Sequence, residues 1–159
     1  GKSSNTVAFS TPCSYLMYED NHIAVDEEGH IGRVLAADEE WKDLTLISGI
    51  ELMPDTLGEQ IEPVNAQDFA YAVQIRRNLK EQCISGVSEI NIGAMGEATL
   101  YMNDAKILLG SDDKTAQKIQ DLSCFYMDVA VMKGTLDMQQ VDRDDIGYTF
   151  KVAQWDVED

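Results

Sequence analysis

The stretch of sequence that decides the fold is Ala98-Thr99-Leu100-Tyr101-Met102-Asn103-Asp104-Ala105-Lys106-Ile107-Leu108-Leu109-Gly110. Two short runs rich in apolar residues lie here on either side of Asn103-Asp104. Asn and Asp tolerate positive φ, so this pair favours a tight turn between two antiparallel strands. The stretch therefore predicts a β-hairpin with strands at residues 97–102 and 105–109.

Helical periodicity flanks this hairpin on both sides. Before it, residues 66–83 repeat with a spacing of three or four, and Asn65 can cap the first turn. The residues with this spacing are Phe69, Val73, Arg76, Leu79 and Cys83. After it, residues 112–128 predict a second helix, with Ser111 as its N-cap and acidic residues in its first turn. Its apolar stripe is Ala116, Ile119, Leu122 and Phe125.

Further strands are predicted near both ends of the chain. Residues 88–92, 135–139 and 148–152 alternate between apolar and polar, and the last two runs are separated by a polar turn at residues 142–145. Near the N-terminus, residues 22–25 and 30–35 flank the acidic turn Asp26-Glu27-Glu28-Gly29 and predict another hairpin.

Two segments have weaker signals. Tyr15-Leu16-Met17 belongs to an extended segment that also holds Val7 and Phe9 and is interrupted at Pro12. Residues 36–64 contain two prolines, and we interpret them as a connector packed on the domain rather than as a regular element.

These elements predict an α+β fold. From residue 65 the order is helix, three strands, helix, two strands. The economical arrangement is two amphipathic helices packed on one face of a largely antiparallel, twisted β-sheet. A chain of 159 residues is long enough for one domain of ordinary size.

The chain is strongly acidic. It has 12 Lys and Arg against 29 Asp and Glu, a formal net charge of −17. This charge repels phosphate backbones and an anionic membrane surface, so we expect no nucleic-acid partner. The carboxylates either form a solvated surface that favours solubility, or hold divalent cations, or complement a basic partner.

The sequence predicts no catalytic residue, no metal site and no cofactor. It contains no HExxH, CxxC, GxSxG, GxGxxG or P-loop pattern. Its two histidines, His22 and His30, are too few for a transition-metal site. Cys13, Cys83 and Cys124 are far apart and flanked by apolar residues, which is typical of small buried hydrophobes. The acidic turns at 26–29 and 142–145 could offer oxygen ligands to calcium, but neither has EF-hand spacing.

Three more stretches of the sequence lie in a definite order relative to the 98–110 hairpin. Ala24-Val25-Asp26-Glu27-Glu28-Gly29-His30-Ile31 and then Leu44-Thr45-Leu46-Ile47-Ser48-Gly49 precede it, and Leu136-Asp137-Met138-Gln139 follows the second predicted helix. Together they resemble the extracytoplasmic β-domain of the bacterial cell-division family FtsQ/DivIB. That family shows an Asp-x-x-Gly hairpin, a Leu-Pro-aliphatic-Gly segment, two strands ending in Leu-Gly, a helix and an aliphatic-Asp-Leu-Arg signature. The chain departs from this pattern at Thr45, where the family has Pro, and at Gln139, where it has Arg.

The resemblance implies a domain division and a location. Residues 1–19 would be the trailing segment of a preceding POTRA domain, 20–153 the FtsQ/DivIB-like β-domain and 154–159 an acidic C-terminal tail. The whole protein would be a single-pass cell-membrane protein, anchored by an upstream segment, with this domain on the extracytoplasmic side. It would act as a scaffold for septal wall synthesis rather than as an enzyme.

The resemblance also implies partners and a binding site. The partners are FtsB/DivIC-like and FtsL-like division proteins, which in the family pair with the last strands of the domain. A C-terminal strand readily ends at a sheet edge, where unpaired backbone groups accept an added strand. The expected partner-binding residues are Asp137, Gln139, Ile146, Gly147, Tyr148, Thr149, Phe150, Lys151 and Val152. Tyr148 and Phe150 either give side-chain specificity or pack in the core, and Lys151 is a candidate for charge matching.

Two other functions stay open at this point. One is a secreted or surface hydrolase whose carboxylates work in a cleft formed by residues 36–64. The other is a cation-responsive surface module, because a net charge of −17 is high for this length.

Overall fold

The computed structural model describes residues 11–35, 44–58, 60–111, 114–124, 126–138 and 149–152. Within these residues the chain forms eleven strands and three helices, so the prediction of a mixed fold of helices and sheet is confirmed. In chain order they are β1 (Pro12–Tyr18), β2 (Asn21–Asp26), β3 (Ile31–Val34), β4 (Thr45–Ser48), β5 (Leu52–Pro54), β6 (Ile61–Pro63), α1 (Ala66–Glu81), β7 (Val87–Ile92), β8 (Ala98–Met102), β9 (Ala105–Gly110), α2 (Thr115–Leu122), α3 (Tyr126–Ala130), β10 (Gly134–Asp137) and β11 (Thr149–Val152).

Nine of these strands form one sheet in the order β11-β10-β9-β8-β7-β4-β1-β2-β3, and β5 and β6 form a separate hairpin. Five neighbouring pairs of the large sheet are antiparallel. Three pairs, β1–β4, β4–β7 and β9–β10, are parallel. The sheet is therefore mixed, and the prediction of a largely antiparallel sheet is correct only in part.

The parallel pairs explain where the helices lie. Parallel neighbours need a crossover connection, which α1 supplies between β4 and β7, and α2 with α3 between β9 and β10. Both crossovers move toward the β11 end of the sheet, and the strands that they connect run in the same direction. Because such crossovers are almost always right-handed, all three helices lie on one face of the sheet.

The main hydrophobic core lies between this face and the helices. Its fully buried members include Ile90, Leu100 and Ile107 from the strands, Ile75 and Leu79 from α1, and Ile119 and Leu122 from α2. A smaller cluster of Tyr15, Ala24 and Leu35, with Leu44 and Leu46 against it, lies apart from that core. Because successive residues of a strand point to opposite faces, Tyr15 belongs to this second face of the sheet while Leu16 lies in the main core.

Three local predictions are confirmed. The deciding hairpin forms with Met102 opposite Ala105, and Asn103 has φ of 55° in its turn. Helix α1 begins after Asn65, whose side chain accepts hydrogen bonds from the N–H groups of Gln67 and Asp68. The N-terminal hairpin forms from β2 and β3.

The interpretation of residues 36–64 as a connector is wrong in its described part. Strand β4 lies inside the sheet between β1 and β7. Thr45 and Ile47 are buried, while Leu46 packs against the smaller cluster on the second face. A short strand covered on both faces has no clear two-residue period, which is why the pattern was uninformative. Pro54 and Pro63 each end a strand of the β5–β6 hairpin.

The second predicted helix is also corrected. It begins at Thr115 rather than at residue 112, its N-cap position is Lys114 rather than Ser111, and it ends at Leu122 before the separate helix α3. Ala116 is exposed, and the buried row instead includes Lys118, whose Nζ donates to the carbonyl oxygen of Leu109 at 2.7 Å. Phe125 lies outside the described residues, as do Val7, Phe9 and the polar turn at 142–145.

The predicted boundary at residue 19 stays a prediction. Within the described residues, β1 pairs with β2 on one side and with β4 on the other, and its Leu16 belongs to the main core.

We expect Gly49→Ala to lower the free energy of unfolding by about 3 kcal/mol or more. Gly49 follows β4 with φ of 84°, and a Cβ there would overlap the backbone carbonyl oxygen of Ile92 at the end of β7. The matched control is Gly58→Ala, because Gly58 has φ of 74° but no atom within 4 Å of an added Cβ. In this control the free energy of unfolding should fall by only about 1 kcal/mol, because a side chain at positive φ is strained. Urea denaturation measures both, and equal losses would contradict the close approach of the two strand ends.

Candidate partner-binding edge

Strand β10 is the inner strand of the candidate edge. It runs parallel to β9, with Gly134 opposite Ala105 and Asp137 opposite Leu108. Just after the strand, the N–H of Met138 donates to the carbonyl of Leu108 at 2.9 Å. Leu136 and Met138 are both buried in the main core. Backbone pairing on one side and two buried side chains therefore hold β10 in place.

Strand β11 is the last strand of the sheet on this side. It pairs antiparallel with β10, and Asp137 lies opposite Thr149 while Gly134 lies opposite Val152. Within the part of the chain that the structure describes, β10 is its one neighbouring strand. An edge strand presents N–H and C=O groups on its outer side, in a row that can template another strand.

The register assigns the positions of β11 to the two faces of the sheet. Phe150 lies opposite Leu136, which is buried in the main core, and Lys151 lies opposite Thr135, which is half-buried. Opposite residues of an antiparallel pair share a face. Because the register partner of Phe150 is a core residue, a backbone test of this edge is cleaner than a substitution of Phe150.

The structure brings together only some of the predicted binding residues. Asp137 and Thr149–Val152 lie on adjacent strands, with Asp137 and Thr149 as register partners. Gln139, Ile146, Gly147 and Tyr148 lie outside the described residues.

Among the strands that the structure describes, β3 lies at the opposite edge of the sheet, a position that the sequence pattern does not predict. The turn before it is built around Asp26, whose carboxylate is buried and accepts hydrogen bonds from the N–H groups of Glu28 and His30 at 2.9 and 2.8 Å. The same carboxylate lies 2.8 Å from Nδ1 of His30. Gly29 completes the turn with φ of 92°. The Asp-x-x-Gly pattern is therefore explained by turn formation, because the Asp26 oxygens already accept hydrogen bonds within the turn.

Two other polar groups make close contacts within the fold. The Ser48 hydroxyl lies 2.5 Å from the Glu89 carboxylate and accepts a hydrogen bond from the Asn91 amide at 2.9 Å. These contacts join the neighbouring strands β4 and β7 and contain no imidazole to activate the serine. Lys118 is fully buried and ties α2 to the end of β9. Among the described residues, no group of three or more His, Cys, Asp and Glu is placed to hold a metal ion.

The cysteines differ from the sequence prediction of small buried hydrophobes. Cys83 and Cys124 are exposed and Cys13 is half-buried. Burial raises the pKa of the Cys13 thiol, and the hydrogen bond with Ser14 and the nearby Arg76 lower it by less. Both exposed cysteines follow helix ends, since α1 ends at Glu81 and α2 ends at Leu122.

Neither the known protein-family models nor the curated proteins contain a match to this chain. The likeness to FtsQ/DivIB therefore rests on the ordered motifs of the sequence. In the fold these motifs occupy the β2–β3 turn, strand β4, the β8–β9 hairpin and strand β10. No helix in the described ranges is long and apolar enough to cross a membrane.

We expect iodoacetamide at about pH 8 to modify Cys83 and Cys124 several times faster than Cys13 in the folded protein. The thiolate is the nucleophile, and at Cys13 burial both restricts access and raises the pKa, which lowers the thiolate fraction. Mass spectrometry of the cysteine peptides gives the three rates. In concentrated urea the rates should converge, and equally fast modification of Cys13 in the folded protein would contradict its position in β1.

Proposed function

We propose that this chain is an extracytoplasmic scaffold domain of bacterial cell division, which binds FtsB/DivIC-like and FtsL-like proteins by strand addition to β11. The observation that supports this most is the position of β11 at the end of a nine-stranded sheet, with β10 as its one described neighbour. The ordered resemblance to FtsQ/DivIB supplies the partners and the site, because in that family the partner pairs with the last strands. A membrane anchor upstream of this sequence is part of the same proposal.

Strand addition suits this edge energetically. Main-chain hydrogen bonds supply affinity, and alternate side chains supply specificity. Binding costs less when the template is already ordered, because no chain entropy is lost in forming it. Buried Leu136 and the parallel pairing with β9 hold β10 in place, and β10 holds β11 through four register pairs.

The register positions of two lysines suggest what the added strand carries. The register places Lys106, Thr135 and Lys151 in one row across β9, β10 and β11. Two lysines in one row are notable in a chain with only 12 basic residues and a net charge of −17. A partner residue added beside Lys151 would extend this row, and opposite charges in such pairs contribute roughly 0.2–1 kcal/mol. The local pair therefore favours an acidic residue there.

Hydrogen exchange tests the proposal without any substitution. Addition of the extracytoplasmic segment of the cognate DivIC-like protein should slow amide exchange in residues 149–152, because outward N–H groups of β11 become hydrogen-bonded to the added strand. The other sheet edge, β3, is the internal control and should keep its exchange rates. Mass spectrometry of peptides from both edges measures the effect. Protection of β3 alone, or of neither edge at saturating partner, would sink the proposal.

A further inference from the structure

We draw no further inference here: the strongest candidate, the surface patch of exposed apolar side chains formed by Met127 in α3 with Val131 and Met132 just after that helix, carries nothing because nothing in the structure shows what covers it.

Discussion

The parallel pairing of β10 with β9 is the constraint on which the candidate site depends. A parallel neighbour forces the chain to leave β9 at one end of the sheet and return to the other through α2 and α3. This crossover seals the main core with Ile119, Leu122 and Val129. It also leaves β10 outside β9, and β11 pairs on the far side of β10. Among the described strands, the position of β11 at the end of the sheet thus follows from chain connectivity, and the buried Leu136 holds the neighbouring strand β10 in place.

Elements whose conformation depends only on neighbouring residues were predicted correctly from the sequence. The Asn103-Asp104 turn and the Asn65 cap each depend on neighbours within a few residues, and both form as predicted. The prediction failed at β4, because a strand between two parallel partners is defined by contacts with β1 and β7, which are distant in sequence. It failed again at α2, where a helical period cannot reveal that Lys118 is buried. That burial depends on the Leu109 carbonyl, which satisfies its charged end.

The sequence predicts only the general position of the candidate site. The final strand was expected at an edge from its place in the chain, and the register now pairs Asp137 with Thr149. The sequence could not show that β3 forms the other edge, or that α3 separates from α2 and exposes Met127 and Val131. Both features arise from how distant elements pack. The acidic turn at Asp26 shows the opposite case, since its local hydrogen bonds explain a motif that the resemblance alone had treated as a family signature.

The open edge that the proposed function requires must also resist pairing with a second copy of itself, and charge provides a reason why β11 would be selective. Proteins often place lysine on edge strands to oppose such pairing. Two antiparallel copies of β11 paired in the register that sets Lys151 opposite itself would place two lysine positions side by side, within chains that each carry a net charge of −17. Like charges close together across strands destabilise the pair, and the long-range repulsion between the two chains adds to this. A partner strand with an acidic residue in that row would pair with a lysine position. It would also avoid the long-range repulsion between two negative chains, provided that its own net charge is not strongly negative. Under the proposed strand addition, lysines at these positions in a negative chain would disfavour self-association and favour an added strand with an acidic residue in that row.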